Sequence, residues 1–183
     1  MRSEKITREN LGSEIARMVE AKFPPERIIY IKANSDTKYE RIVEIMKFGR
    51  EAEEDDYGLI VTDKTNTNDV PGSLNIKIHL EEFNEKDTKS DSVGLIVTVE
   101  GDGKIKLNSK PETSSSLAVK LRNIFQQRKQ KRVFRLGSRE EIEKTVLIKA
   151  PLSAKFGDLV TVIEIIKNTG ADPIGLLIDK LPE

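Results

Sequence analysis

The chain of 183 residues has no cysteine, no tryptophan and one histidine. Without cysteine there is no disulfide, no thiolate nucleophile and no cysteine-based zinc site. The compartment stays open, because such a chain suits the cytosol and a periplasm alike. Aromatic residues make up only 5%, so cores must be built mainly from Ile, Val and Leu. Charge is abundant but has no sign: 31 basic side chains balance 31 acidic ones. That balance argues against a surface tuned as a whole for nucleic acid or anionic membrane. The apolar runs, such as Leu176 to Ile178 and the interrupted Val160 to Ile166, fall far short of the roughly 20 residues of a membrane span. The opening Met1 to Asn10 is polar and charged, unlike a secretion signal, so the chain reads as a soluble object or a piece of something larger. P-loop, GxSxG, HExxH and paired-carboxylate patterns are missing as well.

What is present is an echo. The run from Arg27 to Thr62, with RIIYIKANSDTKYERIVEIMKFG and YGLIVT, aligns without a gap on the run from Lys144 to Asp179, with KTVLIKAPLSAKFGDLVTVIEII and IGLLID, at an offset of 117. Ile31 meets Ile148, Val43 meets Val160, and Gly58-Leu59 meets Gly175-Leu176. Self-similarity at a fixed long period signals a duplicated supersecondary unit. Units this small bury little apolar surface, so pairing with another unit or chain is expected.

Leu11, Ile15, Met18 and Val19 recur at helical spacing behind a possible Asn10 cap, which predicts a helix over about 10 to 22. Phe23-Pro24-Pro25 stops it. A buried strand is expected at Arg27 to Ala33, then a helix capped by Ser35 or Asp36 with Tyr39, Ile42, Val43 and Met46 on one face, then a strand at Tyr57 to Thr62. Residues 64–73 read as a linker. Ile76, Ile78 and Leu80 alternate like a half-exposed strand. Val93 to Glu100 and Lys104 to Asn108, joined by Gly101-Asp102-Gly103, predict a hairpin. A helix with Leu117, Leu121, Ile124 and Phe125 repeats the first at an offset of 106, so eleven extra residues fall in the loop Gln130 to Glu143, where Phe134 to Gly137 can form a short strand or turn. The last helix, with Phe156, Leu159, Val160 and Ile163, is expected to be capped by Ser153 and closed by Gly170.

The fold class expected is α+β: two similar units, each a small mixed β-sheet covered on one face by two α-helices. The first unit spans 1–63 and lacks its hairpin; the second, complete unit spans 74–183. The hairpin with GDGKIKLN, the helix SSSLAVKLRNIF, the strand TVLIKA, the helix FGDLVTVIEIIKNTGA and the strand PIGLLID resemble the periplasmic domain of the ExbD/TolR biopolymer transport family. NIKIHL resembles the extended piece that precedes the hairpin there, and IYIKANSDTKYERIVEIMKFG with YGLIVTD fits the same pattern again. Asn34 and Pro151 stand where that pattern has an aspartate, and tandem duplication departs from the family's usual layout.

The resemblance implies a role in proton-motive-force-coupled energy transduction, with a location on the periplasmic side of the inner membrane. It implies an ExbB/TolQ-like channel protein and a TonB/TolA-like protein as partners, with self-association, and membrane contact only through a span this sequence does not contain. A rival reading is a small-molecule-sensing domain with a ligand cleft between paired αβ units.

No catalytic residue, cofactor or metal ligand stands out. His79 falls on the outward side of an alternating strand and reads as a surface residue, Ser114-Ser115-Ser116 reads as a helix-capping loop, and Gly101-Asp102-Gly103 is explained by turn chemistry. The acidic run Glu51 to Asp56 reads as solvated charge. Two places remain for partners. One is a sheet edge, with Asn75, Ile76, Lys77, Ile78, His79 and Leu80 available for strand pairing or swapping, and with the units meeting each other through such edges. The other is the basic cluster of Arg128, Lys129, Lys131, Arg132 and Arg135, which reads by default as a solvated helix end and otherwise suits an anionic cell-wall polymer or lipid headgroups; without an aromatic platform, nucleic acid is not expected.

Overall fold

The computed structural model describes residues 10–20, 28–51, 57–62, 78–82 and 94–178. Helices α1 (Leu11–Glu20) and α2 (Tyr39–Glu51) form where apolar residues recur at three and four positions. They pack together, with Gly12 so close to Phe48 that an added methyl would stand 3.0 Å from the ring. Strands β1 (Ile29–Ala33) and β2 (Tyr57–Val61) flank α2. They pair in parallel, from Ile29 opposite Tyr57 to Ala33 opposite Val61. Tyr57 tucks under α2, its hydroxyl donating to the Met46 carbonyl at 2.7 Å. Gly49 makes the room, since a Cβ there would lie 2.3 Å from that hydroxyl.

The later stretch supplies β3 (Ile78–Glu82), β4 (Leu95–Val99), β5 (Ile105–Leu107), β6 (Lys110–Glu112), α3 (Ser114–Gln130), β7 (Val146–Lys149), α4 (Phe156–Lys167) and β8 (Ile174–Ile178). Their sheet has the order β3-β8-β7-β4-β5-β6. Its first four strands run parallel and its last three antiparallel. The expected hairpin is thus present and continues into β6. That strand was not expected, and it follows a turn in which Asn108 and Ser109 take φ of 46° and 69°, as a two-residue hairpin loop requires. Among the described residues, the sheet of the first stretch has only the parallel pair β1-β2. Among them a mixed sheet therefore occurs only in the later stretch, because the antiparallel strands β5 and β6 have no counterpart before β1.

A shift of 117 carries one parallel pair onto the other: Ile29 opposite Tyr57 becomes Val146 opposite Ile174, and Ile31 opposite Leu59 becomes Ile148 opposite Leu176. The two stretches are joined where the loops before α2 and α4 meet, and among the described residues no strand pairing links their sheets. Lys38 and Lys155 face each other in an isolated antiparallel bridge. Around it the N–H of Tyr39 donates to Ala154 (2.8 Å) and that of Glu40 to Leu152 (2.9 Å). Reciprocally, Phe156 donates to Thr37 (2.8 Å) and Gly157 to Ser35 (2.9 Å).

The first N–H groups of a helix have no partner within it, and here each helix finds them in the loop of the other. At α4 this takes the place of the side-chain cap expected from Ser153; Lys155, at its N-cap, makes no side-chain cap. Contacts in which equivalent residues exchange roles are isologous.

One apolar cluster runs through both stretches, uniting Tyr39, Ile42, Val43 and Met46 of α2 with Phe156, Leu159, Val160 and Ile163 of α4. Each such side chain, fully buried, contributes about 1.5–3 kcal/mol. α4 is buried more widely than α2, with Val162 and Ile166 also enclosed, because it contacts α3, α2, β4 and also β2 of the first stretch.

Candidate functional site

The margins of the larger sheet and the end of α3 hold the residue types suited to partners. β3 is one margin. It pairs with β8, so that Ile78, His79 and Leu80 stand opposite Ile174, Gly175 and Leu176, and it approaches β2 without pairing with it. Asn75, Ile76 and Lys77 lie outside the described residues. The alternating segment is therefore engaged within the chain along one edge, while no described strand pairs with the other.

Helix α3 starts with a capping box one residue earlier than the serine run suggests. Thr113 Oγ1 accepts from the Ser116 N–H at 3.1 Å, and Ser116 Oγ accepts from the Thr113 N–H at 2.9 Å. Ser114 to Ser116 are the first helical turn rather than a loop. Ser116 also donates to Glu112 at 2.6 Å, and Lys120 closes over the same carboxylate. The Lys120 ammonium first, and the Ser116 hydroxyl second, hold the Glu112 carboxyl below its ordinary range.

The helix carries Lys120, Arg122, Arg128 and Lys129 and no acidic residue. Its apolar stripe of Leu117, Leu121 and Phe125 continues to Arg128, which is 5% exposed. The Arg128 guanidinium donates to the Glu143 carbonyl at 3.0 Å, and burial lowers its pKa against the opposing pull of Glu143. Arg128 is thus a fastener of the following loop and not part of an exposed basic surface. Lys129, Lys131 and Arg132 are exposed.

The loop that follows is a small hairpin, as the extra residues allowed. Phe134 bridges Ile142, and the N–H of Glu143 donates to Val133 at 2.9 Å. Arg135 anchors it, Nη1 donating to Glu141 and Nη2 to the Asp172 carbonyl, each at 2.8 Å. Two shallow grooves border α3. One of about 360 Å³ is lined by Leu107, Asn108, Lys110, Glu112, Lys120 and Asn123. The other, about 220 Å³, brings together Arg122, Lys129, Lys144, Gln126 and Thr169. Neither is the cleft between units that a sensing domain would use.

Among the described residues, no group of three His, Cys, Asp or Glu side chains converges as a metal site, and no helix is long and apolar enough to cross a membrane. Sequence reasoning missed the reciprocal loop contact, and nothing local signals it: Thr37 and Ala154 do their work through backbone carbonyls, which any residue type carries.

No curated protein matches the chain. The family model described as Biopolymer transport protein ExbD/TolR matches residues 59–181, from within β2 past the end of β8. That family is associated with biopolymer transport, energy transduction and the inner membrane. Matching most of its length to that model, the chain belongs to the ExbD/TolR family.

Proposed function

We propose that the chain is a non-enzymatic adaptor of envelope energy transduction, built from two ExbD/TolR-type units: 1–63, and 74–183 after a linker over 64–73. It acts on the periplasmic side of the inner membrane and relays proton-motive-force-driven changes between an ExbB/TolQ-like channel protein and a TonB/TolA-like protein through protein contacts. The observation that carries the two-unit reading is the common register of the β1-β2 and β7-β8 pairs under one shift of 117, since register is set by the whole hydrophobic pattern of a strand. The margin at Asn75 to Leu80 is the contact for an extended partner segment, because a sheet edge offers backbone donors and acceptors to an added strand. Lys129, Lys131 and Arg132 supply an electropositive flank that speeds encounter.

The test uses the full chain together with an ExbB/TolQ-like and a TonB/TolA-like protein as candidate partners. A photoreactive residue in place of His79 is expected to cross-link to the TonB/TolA-like protein, and Leu80→Pro is expected to abolish that product. If both partners co-purify with the chain and no product forms at position 79, the sheet-edge contact is wrong. Should neither partner co-purify, the adaptor reading falls.

A further inference from the structure

The hairpin after α3 displays apolar side chains where turns ordinarily carry polar ones. The N–H of Ser138 donates to the Arg135 carbonyl at 3.0 Å, and Gly137 has φ of +83°, as the third position of a type II turn requires. That puts Leu136 at the apex, 98% exposed, with Phe134 at 40% and Val133 also exposed. Nothing lies within 4 Å of where a Cβ of Gly137 would be, so the apex stands clear of the rest of the protein. Single exposed apolar residues are common and carry no meaning. Three within four positions, on a hairpin held by Arg135, Phe134 and Glu143, are a different matter.

The charge leading up to and through the apex is of one sign. Residues 128–139 contain six basic side chains and no acidic one. Arg128 is buried and Arg135 is engaged, which leaves Lys129, Lys131, Arg132 and Arg139 exposed along the segment that carries the apolar tip. Glu140 and Glu141 stand on the returning side of the hairpin, and Glu141 pairs with Arg135. In a chain of zero net charge this is a local concentration. By sequence, these are residues that the second stretch holds in excess of the first.

We propose that the 131–139 hairpin docks on an anionic lipid surface, with Leu136 and Phe134 entering the headgroup region and the exposed lysines and arginines contacting the phosphates. An apolar tip lodged at the headgroup boundary and cations at the surface reinforce each other, and the long basic side chains reach past the tip to stay in water. A protein partner fits less well, because protein hot spots are anchors packed into matching pockets, whereas this tip is convex and its collar charges are spread along the loop. The inference does not depend on the adaptor reading, and its test involves none of the partner proteins.

Tryptophan is absent from the chain, so Leu136→Trp gives a single fluorescent reporter at the apex. Its emission is expected to shift to the blue when vesicles of phosphatidylglycerol and phosphatidylcholine are added, and to stay unchanged with phosphatidylcholine alone. Added salt should weaken the response, since exposed charges are screened. In sedimentation with anionic vesicles, the unmodified chain should pellet, and Lys131→Gln and Arg132→Gln should each weaken binding about fivefold. The double variant Phe134→Ser with Leu136→Ser should lose at least as much while melting at the unmodified temperature. The proposal is overturned if the reporter gives no shift at saturating anionic vesicles, or if the charge and tip variants bind them as well as the unmodified chain. It is equally overturned if only an acidic polypeptide, and no vesicle, shifts the reporter.

Discussion

Tyr39 and Phe156 open α2 and α4 at equivalent positions, both fully buried, and each donates its backbone N–H to the loop that precedes the other's helix. They differ by one atom, and that atom is costly: the Tyr39 hydroxyl is enclosed without a hydrogen-bond partner among the described residues. A buried polar group left unsatisfied costs about 1–3 kcal/mol. Tyr39→Phe, which copies the residue of the second stretch, is therefore expected to stabilise by about 1 kcal/mol and to raise Tm by about 2–4 °C. Burial raises the Tyr39 pKa well above its ordinary value. A raised folded pKa means stability that is present below the unfolded pKa of about 10 and is lost as pH rises beyond it. The gain from Tyr39→Phe should accordingly widen in alkaline buffer, which thermal melts at pH 7 and pH 11 would show.

The loop contact predicts a cross-link. Lys38 and Lys155 form the bridged pair, and the bonds on either side make it a non-hydrogen-bonded pair, with Cα atoms about 4.5 Å apart, within reach of a disulfide. In a chain with no other cysteine, the double variant Lys38→Cys with Lys155→Cys should oxidise to a single intrachain bridge. Mobility on a non-reducing gel distinguishes this from a bridge between chains. Gly157→Val should prevent it. A Cβ at 157 would lie 2.6 Å from that of Ser35, and forcing it in costs about 1–3 kcal/mol.

Both of these features show where the sequence speaks and where it is silent. The helices, the register-bearing strands and the turn at Gly101 to Gly103 announce themselves through period and turn chemistry. Strand β6 does not, because Lys-Pro-Glu has neither alternation nor β-branched residues, and its place is set by the two-residue turn before it. The cap of α4 could not be assigned from Ser153, since the Thr37 and Ser35 carbonyls that accept from its first turn lie more than a hundred positions away. Arg128 was legible after all: the stripe Leu117, Leu121, Phe125 lands on position 128 when extended by one step, but a run of cations reads as surface until the stripe is followed through it. The proposed contact margin is the least legible part, because a sheet edge is a property of strand order, and the parallel pairing of β3 with β8 joins segments far apart in the chain.

Glu112 supplies a test in acid. Its side chain is 2% exposed and its carboxylate is held by Lys120 and Ser116 just ahead of the N-terminus of α3, where negative charge is also favoured by the helix dipole. Its depressed pKa contributes stability that is fully present above the unfolded value of about 4.3 and is lost as pH falls through the folded one. Glu112→Gln should destabilise the chain at pH 7, and the gap from the unmodified protein should close as the pH is lowered below 4. Denaturant unfolding at a series of pH values measures it; a gap independent of pH would mean that packing, not charge, holds the side chain.

Arg128 and Lys129 are neighbours with the same charge and opposite environments, which separates holding the fold from meeting a partner. The Arg128 guanidinium satisfies the Glu143 carbonyl from the buried side of α3, while the Arg128 carbonyl accepts the Val133 N–H at 2.9 Å, so one residue ties both ends of the hairpin to the helix. Hydrogen bonds to charged groups contribute about 1.5–3 kcal/mol. Arg128→Met keeps much of the volume but removes the donors, and it should cost about 2 kcal/mol and loosen residues 131–143, seen as faster amide exchange there. Lys129→Met removes one exposed charge and should leave stability within about 0.5 kcal/mol. If the basic surface binds an anionic partner, Lys129→Met weakens binding with the fold intact, whereas Arg128→Met weakens it only by releasing the hairpin. An equal, small effect of both on stability would place Arg128 at the surface and remove the fastening role given to it.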